Sequence, residues 1–243
     1  MKGILLAGGN GTRLLPLTKY INKHLLPVGK HPMIAYGISK LREAGVTEIL
    51  LITGSRSLGL YAEYLENGKD FGVSLTYRVQ HQAGGIAEAL ELANGFVSPG
   101  DKFIVLLGDN LFQDELTPYI RSYMKQPAGS AMVLLSPQDH PNRYGVPVFA
   151  EDGSGSLLYI EEKPEHPQSQ YAVTGIYMYD DSVFEKIRKI HPSQRGELEI
   201  TDVNNLYATE GKLKYELLQK WWCDAGTFES LQEAATRMKD VLP

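Results

Sequence analysis

The chain has 243 residues, of which 43% are hydrophobic and 22% charged, the proportions of a globular protein with a sizeable core. Its formal net charge of −5 argues against non-specific nucleic-acid binding, which usually requires a basic face. The single cysteine, Cys223, excludes an internal disulfide bond and a cysteine-rich zinc site. No apolar run approaches bilayer length and no signal peptide precedes the first strand-like segment, so we expect a cytoplasmic protein without a membrane partner.

Strand-like and helix-like segments alternate from Met1 to about Ser136. Apolar runs predict strands over 2–7, 48–53, 74–80, 103–108 and 131–136. Apolar residues recurring at three- and four-residue spacing predict helices over 32–45, 58–65 and 85–95. Repeated βα units of this kind predict an α/β fold with a doubly wound, mostly parallel Rossmann-like sheet, whose ligands bind beyond the carboxyl ends of the strands.

The pattern changes after Asp139. Strand-like segments follow one another with little helix between them, in YGVPVFA, SLLYIEE and YAVTGIYMY. This succession predicts an α+β addition whose strands fold over the crevice. Helices are expected in SVFEKIRKIH, in ITDVNNLYATEG and in the last stretch, where Thr227 is a candidate N-cap. No linker separates the halves 1–136 and 137–243, so we expect a single domain over 1–243.

A glycine-rich turn follows the first predicted strand, in LLAGGNGTRL. Gly8, Gly9 and Gly11 fall within four residues, and this density lets a backbone expose N–H groups around a concave anion site. Arg13 adds a planar guanidinium suited to phosphate oxygens. The chain has no G-x-x-x-x-G-K-[ST] segment, and a dinucleotide fingerprint would need glycine where Leu14 stands. A phosphate loop of another kind and an ordinary glycine turn both remain open on these residues.

Polar side chains with possible chemistry follow three apolar segments. Gln80 ends SLTYRVQ, and its amide can read a pyrimidine edge beside the backbone of Gly85, although spacing alone favours an ordinary loop glutamine. Asp109 follows FIVLLG, where a carboxylate is costly unless paired or metal-bound, and a helix N-cap is an equally common role. Asp224 follows another apolar segment. Two such carboxylates suit Mg²⁺, which takes one or two carboxylates plus substrate phosphates.

The segment GGNGTRL followed by NKHLLPV resembles the signature of the sugar-phosphate nucleotidylyltransferases, and the resemblance covers nearly the whole chain with its motifs in order. It is most similar to the glucose-1-phosphate thymidylyltransferase branch. The resemblance implies a nucleotide-diphospho-sugar transferase type of fold, with nucleotide in the 1–136 half and sugar in the 137–243 half, which ends in the C-terminal helix. It implies a glycine loop around the triphosphate, with nucleotide contacts at Leu6, Ala7, Gly8, Gly9, Gly11, Thr12, Arg13, Lys23, Gln80 and Gly85.

Later motifs resemble the sugar-phosphate side of that family. EEKP matches the segment whose lysine holds the sugar phosphate and whose glutamate contacts sugar hydroxyls, although such a charge run is usually a solvated turn. YGV and YAVTG match sugar-pocket segments, and the acids of RGELEITD fit a sugar contact or a helix start equally. The implied sugar-phosphate contacts are Asn110, Tyr144, Gly145, Glu162, Lys163 and Val173. The implied catalytic residues are Arg13, Lys23 and Lys163, and the implied Mg²⁺ ligands are Asp109 and Asp224.

The resemblance implies transfer of dTMP from dTTP to glucose 1-phosphate by in-line attack, without a covalent enzyme intermediate. Ala83 and Gly84 stand where the branch usually has Pro and Asp, which puts base selectivity in question. The alternatives are a uridylyl- or cytidylyltransferase acting on another sugar 1-phosphate and a non-catalytic nucleotide-sugar sensor. The missing third glycine disfavours a nicotinamide-dependent dehydrogenase. We also expect a homo-oligomer and, because common members of the branch are longer, a reduced regulatory site.

Overall fold

A computed structural model describes residues 1–243, which form thirteen strands, seven α-helices and five short 3-10 helices. The strands are β1 (Lys2–Ala7), β2 (Pro27–Val28), β3 (His31–Pro32), β4 (Glu48–Gly54), β5 (Ser74–Gln80), β6 (Lys102–Leu107), β7 (Asn110–Phe112), β8 (Ala131–Pro137), β9 (Gly145–Phe149), β10 (Leu157–Glu162), β11 (Tyr171–Asp180), β12 (Leu213–Leu217) and β13 (Trp222–Asp224). The helices are α1 (Met33–Glu43), α2 (Leu58–Leu65), α3 (Ile86–Glu91), α4 (Thr117–Met124), α5 (Ser182–Ile187), α6 (Ile200–Thr209) and α7 (Phe228–Arg237).

Seven strands form one sheet in the order β12-β8-β11-β6-β1-β4-β5. The pairs β1–β4, β1–β6, β4–β5 and β12–β8 are parallel, whereas β11 runs antiparallel to both β6 and β8. The mostly parallel sheet predicted from the repeated βα units is thus confirmed. The strand YAVTGIYMY, predicted to fold over the crevice, instead forms β11 inside this sheet, between β8 and β6. Because β11 and β12 come from the second half of the chain, the sheet takes strands from both halves.

Helices cover both faces of this sheet. Along β1, Leu5 packs into a cluster of 26 buried residues that includes α1, α2 and α4, whereas Ile4 packs into a cluster of 24 that includes α3, α5 and α6. Burial on both faces explains why the central strands are near-continuous apolar runs. It leaves the carboxyl edge of the sheet as the place where polar loops gather.

Two helices end earlier than expected. The helix predicted over SVFEKIRKIH ends at Ile187, after which the N–H groups of Lys189 and Ile190 donate to the carbonyls of Lys186 and Ile187 in tighter turns. The helix predicted over 85–95 ends at Glu91. The predicted N-cap of α7 is confirmed, because Thr227 and Ser230 form a reciprocal capping box.

The segment around Asp224 differs from the prediction in one respect. Asp224 does not come after an apolar strand; it is itself the last residue of β13, a short strand outside the main sheet that pairs antiparallel with β7. The register sets Asp224 opposite Asn110, and the Ala225 N–H donates to the Asp109 carbonyl at 2.9 Å. This three-residue ladder brings the C-terminal segment back to the end of β6.

A separate two-stranded antiparallel sheet, β9–β10, carries part of the larger cavity described below. Its register sets Glu162 opposite Gly145. The Asn205 side chain of α6 bonds both the N–H and the C=O of Ile160, at 2.7 and 2.8 Å, so the small sheet is fixed to the body of the protein. None of the helices combines the length and the apolar character needed to cross a bilayer.

Candidate active site

Two adjoining cavities open at the carboxyl ends of β1, β5 and β6. The larger has a volume of about 580 Å³ and the smaller about 330 Å³. They form one cleft, with the glycine loop at the smaller end and the β9–β10 sheet at the larger end. The residues that line both cavities are Arg13, Ile86, Leu107, Asp109 and Glu197.

The glycine loop leaves β1 in a conformation fixed by side-chain bonds. Gly11 has a φ of 62°, and a side chain there would also meet Thr18, whose hydroxyl donates to the Gly11 carbonyl at 2.7 Å. Asn22 Nδ2 donates to the Ala7 carbonyl at 3.1 Å. The loop is therefore closed onto the following turns, and it presents Gly8 and Gly9 to the smaller cavity.

A buried ion pair joins Lys23 to Asp109. Burial disfavours the charged form of each side chain, but the attraction between the two charges outweighs this effect. The pKa of Asp109 is therefore held well below its usual range, mainly by the Lys23 charge. Burial lowers the pKa of Lys23, and the charges of Asp109 and Asp224 more than reverse this effect, so that it lies above its ordinary value. At neutral pH both partners are charged.

Asp224 is the less satisfied of the two site carboxylates. Its Oδ1 is buried and has no hydrogen-bond partner, and its Oδ2 lies 3.6 Å from an Arg13 nitrogen. Burial, with the adjacent Asp109 charge, raises the pKa of Asp224 to about 6. No group of three or more His, Cys, Asp or Glu side chains forms a ligand cluster. An orphaned carboxylate oxygen beside a second carboxylate nevertheless suits a divalent cation that takes its other ligands from phosphates.

Asn110 connects the elements behind these acids. Its Oδ1 accepts from the Gly175 N–H and from Trp222 Nε1, both at 2.7 Å, and its Nδ2 donates to Asp109 Oδ1 at 3.0 Å. Asn110 thus joins β6, β11 and β13 and fixes the Asp109 carboxylate, while still lining the larger cavity. Most of its polar capacity is used inside the protein.

Gln80 lies at the end of β5, where it lines the smaller cavity. Its Nε2 donates to Glu88 Oε2 at 2.7 Å. Gly85, which follows this loop, has a φ of 100°, and a side chain there would overlap the backbone of Leu198. The Leu198 N–H donates to the Gly84 carbonyl at 2.8 Å and its carbonyl accepts from Ala87 at 3.2 Å. Only glycine fits at position 85.

Charged residues concentrate in the larger cavity. Lys163 has a positive φ of 47°, rare outside glycine, and its Nζ lies 3.2 Å from Glu162 Oε1. Glu162 Oε2 accepts from Thr201 at 2.6 Å. Arg195 Nη2 donates to both carboxylate oxygens of Glu199, at 2.8 and 2.9 Å, and lies 3.5 Å from Glu162 Oε1. These contacts hold two cations and their carboxylates around one space.

The cleft gathers most residues predicted from the sequence. The larger cavity is lined by Thr12, Arg13, Asp109, Asn110, Tyr144, Gly145, Glu162, Lys163, Val173 and Asp224. The smaller cavity is lined by Leu6, Gly8, Gly9, Arg13, Lys23, Gln80, Gly85 and Asp109. Ala7 and Gly11 line neither cavity; their carbonyls accept hydrogen bonds within the loop.

Sequence reasoning missed several residues of the cleft. Arg195 and Arg143 line the larger cavity, and Glu88 contacts Gln80. The RGELEITD segment contains a signal for Arg195, because an arginine there precedes three acids. His24 is buried in the smaller cavity and bonded to Asn22 Oδ1 at 2.6 Å. Burial lowers the pKa of His24 to about 3, and the neighbouring Lys23 charge acts in the same direction.

Comparison with known proteins agrees with this geometry. The family model described as nucleotidyl transferase matches residues 2–241. The glucose-1-phosphate thymidylyltransferase of Neisseria meningitidis serogroup A is 41% identical over 244 residues, covering 99% of this chain and 83% of the relative. That of Xanthomonas campestris pv. campestris (strain B100) is 42% identical over 243 residues, with coverages of 99% and 81%.

Two solved structures share the fold. A candidate glucose-1-phosphate thymidylyltransferase from Bacillus anthracis, in complex with sucrose, is 49% identical with a TM-score of 0.93 and covers 100% of this chain and 97% of its own. A UDP-glucose pyrophosphorylase complexed with UDP-glucose is 26% identical with a TM-score of 0.82, covering 97% of both chains. The chain belongs to the nucleotidyl transferase family. Its similarity within that family is to the glucose-1-phosphate thymidylyltransferases, and the expected nucleotide-diphospho-sugar transferase fold is confirmed.

Proposed function

We propose that this protein transfers dTMP from dTTP to glucose 1-phosphate, giving dTDP-glucose and pyrophosphate. The observation that carries the proposal is the shared wall of the cleft, where Arg13 and Asp109 face both cavities. Lys23 lies on one side of this wall and Lys163 on the other. Two phosphorylated substrates that enter the two cavities would meet there. The names of the Neisseria and Xanthomonas relatives support the same reaction.

The smaller cavity would hold the nucleotide. Its triphosphate would lie along the glycine loop and Thr12, neutralised by Arg13 and Lys23. The base would lie against Gln80 and Gly85, whose N–H has no acceptor within the chain. Leu6 completes the cavity beside this loop. These contacts supply the backbone donors and cations that bind phosphates in other proteins.

The larger cavity would hold the sugar phosphate. Lys163 and Arg195 are the cations that would bind its phosphate, and Glu162 would accept hydrogen bonds from sugar hydroxyls. The other lining groups suited to a sugar are Asn110, Tyr144, Gly145 and Val173. Tyr144 packs edge-on against Trp222 with ring centroids 5.3 Å apart, which gives the sugar a firm apolar wall.

Asp109 and Asp224 would hold Mg²⁺ as the cofactor. The buried Asp224 Oδ1, which has no partner, supports this assignment, and so does the acidity imposed on Asp109. When bound, the ion neutralises charge that develops on the phosphate oxygens. Mg²⁺ binds through one or two carboxylates and substrate phosphates, so two carboxylates suffice.

The chemistry requires little from the protein beyond position and charge. The phosphate of glucose 1-phosphate is ionised at neutral pH, so its oxygen attacks the α-phosphorus without a general base. Lys163 would hold the attacking phosphate in line, while Arg13 and Lys23 would stabilise the leaving pyrophosphate. Orientation and charge neutralisation account for most of the rate in phosphoryl transfer of this kind.

The test is pyrophosphate release by the whole chain with every pairing of dTTP, UTP and CTP with glucose 1-phosphate and other sugar 1-phosphates. The dTTP and glucose 1-phosphate pair should be fastest. Lys163→Gln should abolish most activity, whereas Lys69→Gln, at an exposed lysine outside the cleft, should not. A faster reaction with UTP or CTP would reassign the enzyme as a uridylyl- or cytidylyltransferase, and no release from any pair would favour a non-catalytic sensor.

A further inference from the structure

Glu88 makes an unusual pair of contacts in the base-binding region. It lies in the first turn of α3, and its Oε2 accepts from Gln80 Nε2 at 2.7 Å and from the Gly84 N–H at 2.8 Å. Both partners are donors, and an ionised carboxylate only accepts. Glu88 therefore fixes which end of the Gln80 amide points toward α3: the NH₂ group faces Glu88.

The other end of the amide is left for the cavity. The second Nε2 hydrogen is directed at the Gly85 carbonyl, 3.4 Å away, so both donors of Gln80 are engaged. No donor of the chain bonds to Gln80 Oε1, and this oxygen is accessible rather than buried. A Cβ on Gly8 would lie 2.6 Å from this oxygen, so glycine at position 8 leaves room for it. Gln80, which lines the smaller cavity, thus keeps an accessible acceptor that has no partner in the chain.

We propose that Glu88 is a specificity-determining positioning residue, which makes Gln80 select pyrimidines that carry an N3–H. This inference rests on the proposed function and specifies which nucleotide bases the site accepts. Thymine and uracil have a donor at N3 flanked by carbonyls, so they match the Gln80 oxygen while a carbonyl accepts from the Gly85 N–H. Cytosine has a lone pair at N3, which the lone pairs of the Gln80 oxygen repel. Cytosine can donate to that oxygen only through its N4 amino group, and this contact requires the whole base to shift away from the position that thymine takes.

A purely structural role for Glu88 makes a different prediction. An acidic or amide side chain in the first turn of a helix commonly caps a free backbone N–H, as Glu88 does for Gly84. Glu88→Gln keeps an oxygen that can accept from both donors, so it should preserve the capping and the orientation of Gln80 together. Glu88→Ala removes the acceptor and leaves the Gln80 amide free to turn over. A capping role alone predicts that Glu88→Ala lowers stability without changing base selectivity.

The experiment measures kcat/KM for dTTP and for dCTP, each with glucose 1-phosphate. Glu88→Ala should lower the dTTP-to-dCTP ratio by about fivefold or more, the size expected for one hydrogen bond at a buried site, and Glu88→Gln should retain the ratio. Glu91→Ala truncates a similar side chain on the same helix, where Glu91 contacts Arg188 at 2.9 Å, and should leave the ratio unchanged. An unchanged ratio in an active Glu88→Ala variant, or an equal change in Glu91→Ala, would overturn the assignment.

A binding measurement on the unmodified protein guards against a variant that fails to fold. N3-methyl-dTTP lacks the donor that the Gln80 oxygen requires, so it should bind more weakly than dTTP in equilibrium titration. Equal affinity would refute the inference without touching the proposed reaction. Absence of pyrophosphate release with every substrate pair would instead refute the proposed function, and this inference with it.

Discussion

The Lys23 ammonium pairs with the Asp109 carboxylate inside the cleft, and each side chain is nearly buried, at 13% and 11% exposure. A buried ion pair is strongly destabilised when only one partner is removed, because the other charge stays without compensation. The pair therefore links the stability of the cleft to its chemistry, and both can be measured on the same variants.

Asp109→Asn and Lys23→Met should each lower the free energy of unfolding by about 3–5 kcal/mol. The double variant should be more stable than the sum of the two losses predicts, with a coupling of about 1–3 kcal/mol in a double-mutant cycle. Urea denaturation in EDTA provides the four free energies. Additive losses would show that the two charges do not compensate each other.

Asp224→Asn should act on stability in the opposite direction. With a pKa raised to about 6, the folded state binds more protons than the unfolded state between pH 3.8 and 6, so the carboxylate lowers stability as pH rises through that window. Removing the charge should raise the free energy of unfolding by about 1–3 kcal/mol at pH 7 in EDTA. Turnover should fall about 100-fold or more.

Mg²⁺ supplies the control for this variant. Millimolar Mg²⁺ with dTTP should raise the melting temperature of the unmodified protein more than that of Asp224→Asn, because a ligand that binds only the folded state stabilises it. Equal shifts in the two proteins would remove Asp224 from the metal site.

Lys163 has both a strained backbone conformation and a charged side chain in the cleft, and two substitutions separate the effects of the two. Lys163→Gly should relieve the positive φ of 47° and leave the protein at least as stable as before, with a gain of up to about 1 kcal/mol. Lys163→Met should keep the strain and gain nothing. Both should raise the KM for glucose 1-phosphate and lower kcat. Glu66→Gly, at the other non-glycine residue with positive φ, should leave the kinetics unchanged; normal kinetics in Lys163→Met would contradict the assigned role.

His24 should make the protein sensitive to acid. Its pKa is about 3 in the folded state and about 6.5 when unfolded, so the unfolded state binds more protons between these values and stability falls as pH drops. From pH 7 to pH 5 the protein should lose about 2 kcal/mol more than His24→Gln does. The exposed His166 provides the matched substitution, and His166→Gln should retain the full acid sensitivity. Urea midpoints at the two pH values measure each loss.

The sequence predicts those features that depend on residues close together in the chain, which are several strands and the position of Asp109. Continuous or alternating apolar residues predict strands, and this pattern identifies β1, β5 and β8. Asp109 is predicted as a site residue because ligands bind beyond the carboxyl ends of parallel strands. Asp224 was assigned to the wrong setting because the β7–β13 ladder has three residues a strand and joins segments about a hundred residues apart.

The sequence pattern does not predict the contacts between side chains of the cleft. Glu88 reads as an ordinary first-turn acid of a helix, and only the folded chain reveals that it bonds the amide of Gln80. The sequence does not predict Arg195 because its place in the cleft depends on Glu162, 33 residues earlier in the chain, as well as on the nearby Glu199. Contacts of this kind depend on how the loops fold, and they leave no periodic pattern in the sequence.

The two hydrogen bonds of Leu198 have a consequence for how the substrates bind. They attach the turn at Gly84 and Ala87, beside the nucleotide cavity, to the segment that carries Glu197 and Glu199 beside the sugar cavity. We expect a ligand that restrains one segment to restrain the other, so that the second ligand loses less conformational entropy on binding. The predicted cooperativity is reciprocal: each substrate should tighten the affinity of the other by the same factor. Calorimetric titration of glucose 1-phosphate with and without a non-reactive dTTP analogue measures this factor, and a value of one would show that the two cavities fill independently.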